Sequence, residues 1–177
     1  MVALGVMATG RLGAETPGAE LLGSPAPELH AELWINSEPL SLDDLRGRVV
    51  LVRFWTAPGC PFCSATAPSL NTLHERYGDD GLVVLGLYHH KARSPLDPAD
   101  VARYAEGFGF DFPVAVDTGW RTLRSWWLDR RDRGWTSVSF LLDREGVVRW
   151  VHPGGKYVEG DEDFAELEAA LGELLAR

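Results

Sequence analysis

Cys60 and Cys63 are the only cysteines in the 177-residue chain, and they stand two residues apart as Cys60-Pro61-Phe62-Cys63. Such a pair can close and open as a disulfide by thiol–disulfide exchange. Its setting favours that chemistry. An apolar β-type run, Val49-Val50-Leu51-Val52-Arg53-Phe54-Trp55, precedes it, and a helical pattern follows. The first turn of a helix leaves backbone N–H groups unpaired and carries partial positive charge. A thiolate at that point is stabilised, so Cys60 is expected to ionise below the free-thiol value of about 8.5. Pro61 suits the first helical position, having no N–H to leave unpaired and a φ already helical. Cys60 then reads as the exposed nucleophile and Cys63, one turn in, as the resolving thiol. Phe62 is expected to be exposed between them, where it can tune thiolate stability.

Two other readings of the pair are open. A purely structural disulfide here would close a tiny loop and constrain the unfolded chain little. A structural zinc site as a rule takes four ligands; the pair supplies two, and His89 with His90 could complete the set.

Hydrophobic periodicity and turn signals give the elements that must position the pair. Leu29 to Ile35 reads as a strand ending at Asn36-Ser37, and Ser41 to Gly47 as a short capped helical turn. Val49 to Trp55 is a buried strand and Pro61 to Tyr77 a helix stopped at Gly78, with Pro68 expected to kink it. Leu82 to Tyr88 is almost wholly apolar, which suits a central strand covered on both faces. A helix is expected over Asp100 to Glu106, a strand over Phe112 to Val116 and a helix over Arg121 to Leu128. Val138 to Leu142 and Val147 to His152 flank Asp143-Arg144-Glu145-Gly146, a hairpin signature. A last helix over Asp161 to Ala176 carries an apolar stripe of Phe164, Leu167, Leu171, Leu174 and Leu175. The order implies an α/β fold with a mixed sheet and helices on both faces. Residues 1–27, rich in Gly, Ala, Pro and Glu, read as a flexible tail or the remnant of an export signal, and residues 28–177 as one domain.

Composition narrows the partners. A net charge of −9 disfavours nucleic acid. No apolar run approaches the roughly 20 residues that span a bilayer. One C-x-x-C occurs in reducing and oxidising compartments alike. His89 and His90 end a strand at the sheet edge where the helix of the cysteines begins, so either could tune Cys60 or move its proton. The plainer reading makes both solvent-facing loop residues. Trp126, Trp127 and Trp135 with Arg130, Arg131 and Arg133 could form a surface for an acidic partner; the plainer reading puts the tryptophans in the core and the arginines in water.

At this level of detail the chain resembles thioredoxin-fold proteins, and among them the extracytoplasmic thiol–disulfide oxidoreductases of the TlpA/ResA type and the neighbouring redoxin (AhpC/TSA-related) group. Four stretches carry the likeness: Val49 to Trp55 with the C-x-x-C, Pro68 after Cys63, Gly81 to Leu87, and Ser139-Phe140-Leu141-Leu142-Asp143 with Gly146. Leu40 to Gly47 is similar to the lead-in of that group. The resemblance implies a dithiol that exchanges disulfides with protein substrates, no organic cofactor, and a separate thiol donor, often a membrane thiol carrier. It also implies an extracytoplasmic or periplasmic location.

The departures from the resembling pattern are specific. Such proteins place a cis-proline opposite the C-x-x-C, and here Thr136-Ser137 stands there, with Ser137 at the proline's place. That loop commonly holds the substrate backbone. A cis bond before a non-proline residue costs about 2.5–4 kcal/mol, so the loop is expected to be either trans or strained. Gly59 replaces a tryptophan before the first cysteine, and the link from Trp55 to Cys60 is one residue longer. Arg53 lies where some members keep a buried acid for proton transfer. A metal- or iron–sulfur-binding module is an alternative, since the missing proline ring would otherwise crowd ligands away from the thiols. A thiol peroxidase fits less well: its P-x-x-x-T/S-x-x-C pattern meets Arg53 and Ala57 around Cys60, and Thr56 and Cys60 around Cys63.

Overall fold

Strand formation in the computed structural model, which describes residues 16–130 and 133–177, follows the apolar runs. The elements are β1 (Leu33–Ile35), β2 (Val49–Trp55), α1 (Pro61–Tyr77), β3 (Leu82–His89), α2 (Pro98–Gly107), β4 (Val114–Asp117), α3 (Arg121–Leu123), β5 (Ser139–Leu142), β6 (Val148–His152) and α4 (Glu162–Leu175). They build one six-stranded sheet in the order β1-β4-β3-β2-β5-β6. β2 runs parallel to β3 and β3 to β4, while the β1–β4, β2–β5 and β5–β6 pairs are antiparallel. The expected mixed sheet is therefore present.

The two-residue period of β2 divides the interior. Val49, Leu51 and Trp55 face a core built with Leu70 and Leu73 of α1 and with Phe164, Leu167 and Leu171 of α4. Val50, Val52 and Phe54 face a second core with Trp126, Trp127 and Phe140. Trp126 and Trp127 are thus core residues. At the β5–β6 turn, Asp143 Oδ1 accepts the N–H groups of Glu145 (3.0 Å) and Val147 (2.9 Å), and Gly146 sits at φ 73°. That conformation suits glycine, which lacks the Cβ that crowds the left-handed region. In the expected turn before β2, Ser41 and Asp44 bond each other reciprocally.

Several boundaries differ from the sequence expectation. β4 begins at Val114 rather than at Phe112, because Pro113 has no N–H to place in a ladder. The helix expected through Leu128 continues beyond α3 as one π-type turn over Arg124–Leu128. α1 keeps the expected bounds, with Pro68 inside it on the exposed face. The flexible tail expected to run to residue 27 is corrected from Thr16 onward. Ala19–Leu21 form a 3-10 turn with Leu21 buried. Gly23 N–H donates to Val148 O (2.9 Å), Val148 N–H to Ser24 O (3.0 Å) and Ala26 N–H to Gly146 O (3.0 Å). The free edge of β6 supplies these partners, and pairing it lowers the cost of an open edge. The export-signal reading falls on residues 1–15, outside the described residues.

Asp161 caps α4: its Oδ1 accepts Phe164 N–H (2.8 Å) and its Oδ2 accepts Val158 N–H (2.8 Å). Asp161→Ala is expected to lower stability by about 1 kcal/mol, read from urea unfolding midpoints at unchanged slope. An unchanged midpoint would remove the cap from the account of this helix.

Candidate functional site

β2 ends at Trp55, and Thr56, Ala57, Pro58 and Gly59 carry the chain to Cys60. Cys60 is the N-cap of α1, extended at φ −90° and ψ 103°, and Pro61 opens the helix as expected. Cys60 and Cys63 are joined as a disulfide with their Cα atoms 5.3 Å apart. The two sulfurs differ in access: Cys60 is half-buried, whereas Cys63 is 3% exposed. Each meets a backbone donor. Cys63 N–H donates to Cys60 Sγ (3.2 Å), and Thr56 N–H donates to Cys63 Sγ (3.5 Å). No charged residue stands in the first turn of α1, so its N–H groups and dipole act on the sulfurs without an offsetting carboxylate. Phe62 is half-buried rather than exposed, with the edge of the Trp135 ring 5.4 Å away between centroids.

Two grooves meet at Cys60. One, of about 560 Å³, is mainly apolar, with Ala57, Pro58, Tyr104 and Phe108 in its wall. The other, of about 380 Å³, is bounded by Phe62, Lys91, Trp135, Thr136 and Ser137. The structure thus brings Pro61, Phe62, Thr136 and Ser137 together around Cys60. The peptide bond between Thr136 and Ser137 is trans; the cis bond among the described residues is Ala57–Pro58.

The Ser137 loop is held from below by Arg53, whose part here sequence reasoning did not reach. Arg53 is fully buried in the middle of the sheet. Its Nη1 donates to Ser137 O (2.8 Å) and to Ser139 Oγ (3.3 Å), and its Nη2 donates to Gly155 O (2.8 Å). The guanidinium carbon lies 5.3 Å from the centre of the Tyr157 ring. Burial pulls the Arg53 pKa down, opposed by Tyr157. A charged residue inside an apolar strand was the available signal; its partners, far along the chain, gave none.

The two histidines separate. His89 is not a solvent-facing loop residue: it is the last residue of β3, fully buried, with its ring edge-on to Trp120. Tyr88 joins the core that contains Cys63, so strand alternation turns His89 to the opposite face. Neither ring nitrogen of His89 finds a partner among the described residues. Burial, with the charges of Lys91 and Arg53 adding to it, pushes its pKa down to about 3. His89 is therefore neutral at physiological pH. His90 is closer to the site. Its Nδ1 lies 3.1 Å from the Tyr88 hydroxyl, which is also 3.1 Å from Ala57 O, and its Nε2 lies 2.7 Å from Ser94 O. The two rings do not join the cysteines in a zinc set: among the described residues no three His, Cys, Asp or Glu side chains gather as metal donors. Of the aromatic-basic cluster, Trp135 is 58% exposed and Arg133 covers the Trp127 ring at 3.7 Å.

A parallel strand that ends at a helix N-cap, with an accessible sulfur bonded to a buried one, can carry out thiol–disulfide exchange. Fold and site together define a thioredoxin-like protein with a C-x-x-C dithiol. A Redoxin family model matches residues 21–171. The chain belongs to the Redoxin family. It is 33% identical over 136 residues to protein DipZ of Mycobacterium tuberculosis, which covers 75% of this chain and 18% of DipZ. The chain thus spans about a fifth of that relative's length. Thiol-disulfide oxidoreductase ResA of Bacillus thuringiensis is 28% identical over 142 residues, covering 79% of this chain and 71% of ResA. Among solved structures, a thiol-disulfide isomerase from Corynebacterium glutamicum superposes with a TM-score of 0.68 at 29% identity, over 86% of this chain and 97% of that one.

Burial of neutral His89 has a pH consequence. Its folded pKa of about 3 lies below the unfolded value of about 6.5, so the unfolded chain binds the extra proton between them. The stability this contributes is full above about pH 6.5 and falls as pH drops toward the folded value, by at most about tenfold in the unfolding equilibrium per pH unit. His89→Leu is expected to flatten that fall. Urea midpoints of the two proteins compared at neutral and mildly acid pH test it, and parallel curves would remove His89 from the acid response.

Proposed function

We propose that this chain is a thiol–disulfide oxidoreductase that reduces disulfides in polypeptide substrates, with Cys60 as nucleophile and Cys63 as resolving thiol. One observation carries the assignment of roles: the half-buried Cys60, at the seam of two grooves, is bonded to a Cys63 that is 3% exposed. An incoming disulfide reaches the first sulfur and not the second.

In the reduced protein, the Cys60 thiolate attacks one sulfur of the substrate disulfide. The substrate S–S bond breaks, a mixed disulfide forms, and the other substrate sulfur leaves as a thiolate. That thiolate takes the proton of Cys63. Cys63 Sγ then attacks Cys60 Sγ, the mixed disulfide breaks, and the second substrate sulfur departs and takes up a proton from solvent. Two electrons pass to the substrate and the Cys60–Cys63 disulfide remains, the state found in the structure. Among the described residues no acidic side chain bonds Cys63, and Arg53 occupies the strand position at which the resembling group can keep a buried acid. Assigning this proton to the departing thiolate is consistent with that.

Resetting the pair needs a separate dithiol donor, which the likeness to the TlpA/ResA type suggests is a membrane thiol carrier. The same likeness supports an extracytoplasmic place of work. Among the described residues no helix is long and apolar enough to cross a membrane.

Incubation of Cys63→Ser with a disulfide-bonded peptide is expected to trap a mixed disulfide on Cys60, seen as a mass increase of one reduced peptide chain. Cys60→Ser is expected to trap none, and both variants to lose catalytic turnover of the peptide. An adduct on Cys63 in the Cys60→Ser protein, at the rate of the other variant, would reverse the roles. Absence of both adducts would sink the exchange reading. Equilibration against thiol buffers sets the direction, with a value near or below about −250 mV expected for a reductant.

A further inference from the structure

Arg53 is fully buried on a strand whose other six residues are apolar and buried. Its hydrogen-bond acceptors are neutral: two backbone carbonyls and one hydroxyl. A buried charge held this way is costly, and a well-packed apolar residue of similar volume often serves stability as well or better. Its presence there therefore calls for another reason, and the bonding pattern supplies one.

The guanidinium fork closes a circuit. Nη1 holds Ser137 O and Nη2 holds Gly155 O, each at 2.8 Å. Gly155 N–H donates back to Ser137 Oγ (3.2 Å), and Ser139 Oγ, also held by Nη1, lies 3.1 Å from the Tyr157 hydroxyl. The circuit is anchored to the helix of the cysteines: Tyr157 N–H donates to Thr66 Oγ1 (3.3 Å) and Glu159 N–H to Ser69 Oγ (3.0 Å). The two loops also touch directly, since a Cβ on Gly154 would meet Trp135 Cβ at 2.4 Å. Ser137 and Trp135 in turn wall the smaller groove at Cys60.

We propose that Arg53 is a positioning residue for thiol–disulfide exchange: its fork fixes the Ser137 loop at a set distance from α1, so that the loop receives the backbone of a polypeptide substrate beside Cys60. The planar fork suits this task because it donates to two separate carbonyls at once from a rigid frame, which a lysine ammonium cannot do as one unit. It does so where proteins of the resembling group carry a proline. The proposal rests on the exchange reading above.

The test compares wild type with Arg53→Met and Arg53→Lys, with dithiothreitol as the regenerating dithiol and its uncatalysed rate subtracted, on two substrates, a disulfide-bonded peptide and hydroxyethyl disulfide, which has no backbone to seat. Rates are taken at about pH 9, above the usual thiol range, so that the nucleophile is ionised in each protein. Circular dichroism reports whether each variant folds. The expected result is a rise of about tenfold in KM for the peptide in both variants, with its kcat and the rate on hydroxyethyl disulfide within about threefold of wild type. Ser137→Ala, which removes only the Gly155 link, is expected to raise the peptide KM by about twofold, and it carries the test if the Arg53 variants fail to fold. The proposal is overturned if both substrates slow by the same factor in a folded variant, or if the peptide KM does not move. A wild type that turns over neither substrate would overturn the exchange reading, and this proposal with it.

Discussion

The burial of β2 on both faces is the constraint from which the site follows. All seven residues of the strand are buried, so β2 must lie mid-sheet, with β3 on one side and β5 on the other. Its parallel pairing with β3 needs a crossover, and α1 is that crossover. The chain must therefore leave β2 at the sheet edge and enter a helix within a few residues. That turn is where Cys60 becomes an N-cap. The polarity of the first helical turn and the accessibility of Cys60 are thus consequences of strand order. The same geometry explains the unequal sulfurs: Cys63, one turn in, is drawn under the sheet edge, where the Thr56 N–H reaches it.

A strand covered on both faces leaves no neutral way to place a charge, yet Arg53 sits there. Its position makes sense only together with the antiparallel side of the sheet. β5 pairs with β2 through Ser139 opposite Arg53, and the loop before β5 therefore ends over the guanidinium. The segment after β6 arrives from the other side with Gly155. One side chain thus reaches both connections flanking the hairpin. The sheet interior and one wall of the site become a single rigid unit without a proline in that wall.

How much of this could be read from the sequence depended on the range of the interactions involved. β2 and α1 were legible to the residue, because an apolar run, a proline at the first helical position and a glycine stop are local signals. The hairpin was legible for the same reason. Phe62 is half-buried where exposure is expected, because its cover, Trp135, comes from far along the chain. The His-His-Lys run reads equally as a strand end or a loop; the strand continues through His89, and Trp120 buries the ring. Residues 16–27 resembled a tail because Gly, Ala and Pro dominate them. Their partners are backbone groups of β6 and its turn, which no side-chain pattern announces. The Arg53 circuit joins residues 84 and 102 positions away, so composition could mark the charge as odd but could not supply its ligands.

The two N–H groups that meet the sulfurs bear on the direction of reaction. In the oxidised state they lie against Cys60 Sγ and Cys63 Sγ, where a disulfide sulfur is only a weak acceptor. When the pair opens, whichever sulfur carries negative charge becomes a far better acceptor, and charge-assisted hydrogen bonds are roughly twice as strong as neutral ones. Both donors therefore stabilise the open form over the closed one. Cys60 gains more, since the unneutralised helix terminus adds to its one donor. A stabilised Cys60 thiolate is also the better leaving group in the resetting step, when the second thiol of a dithiol donor attacks the donor sulfur bonded to Cys60. The backbone geometry thus favours reopening of the pair by its donor and restrains the reducing power of the resting dithiol. How strongly Cys60 is stabilised fixes where this protein stands between reductant and oxidant.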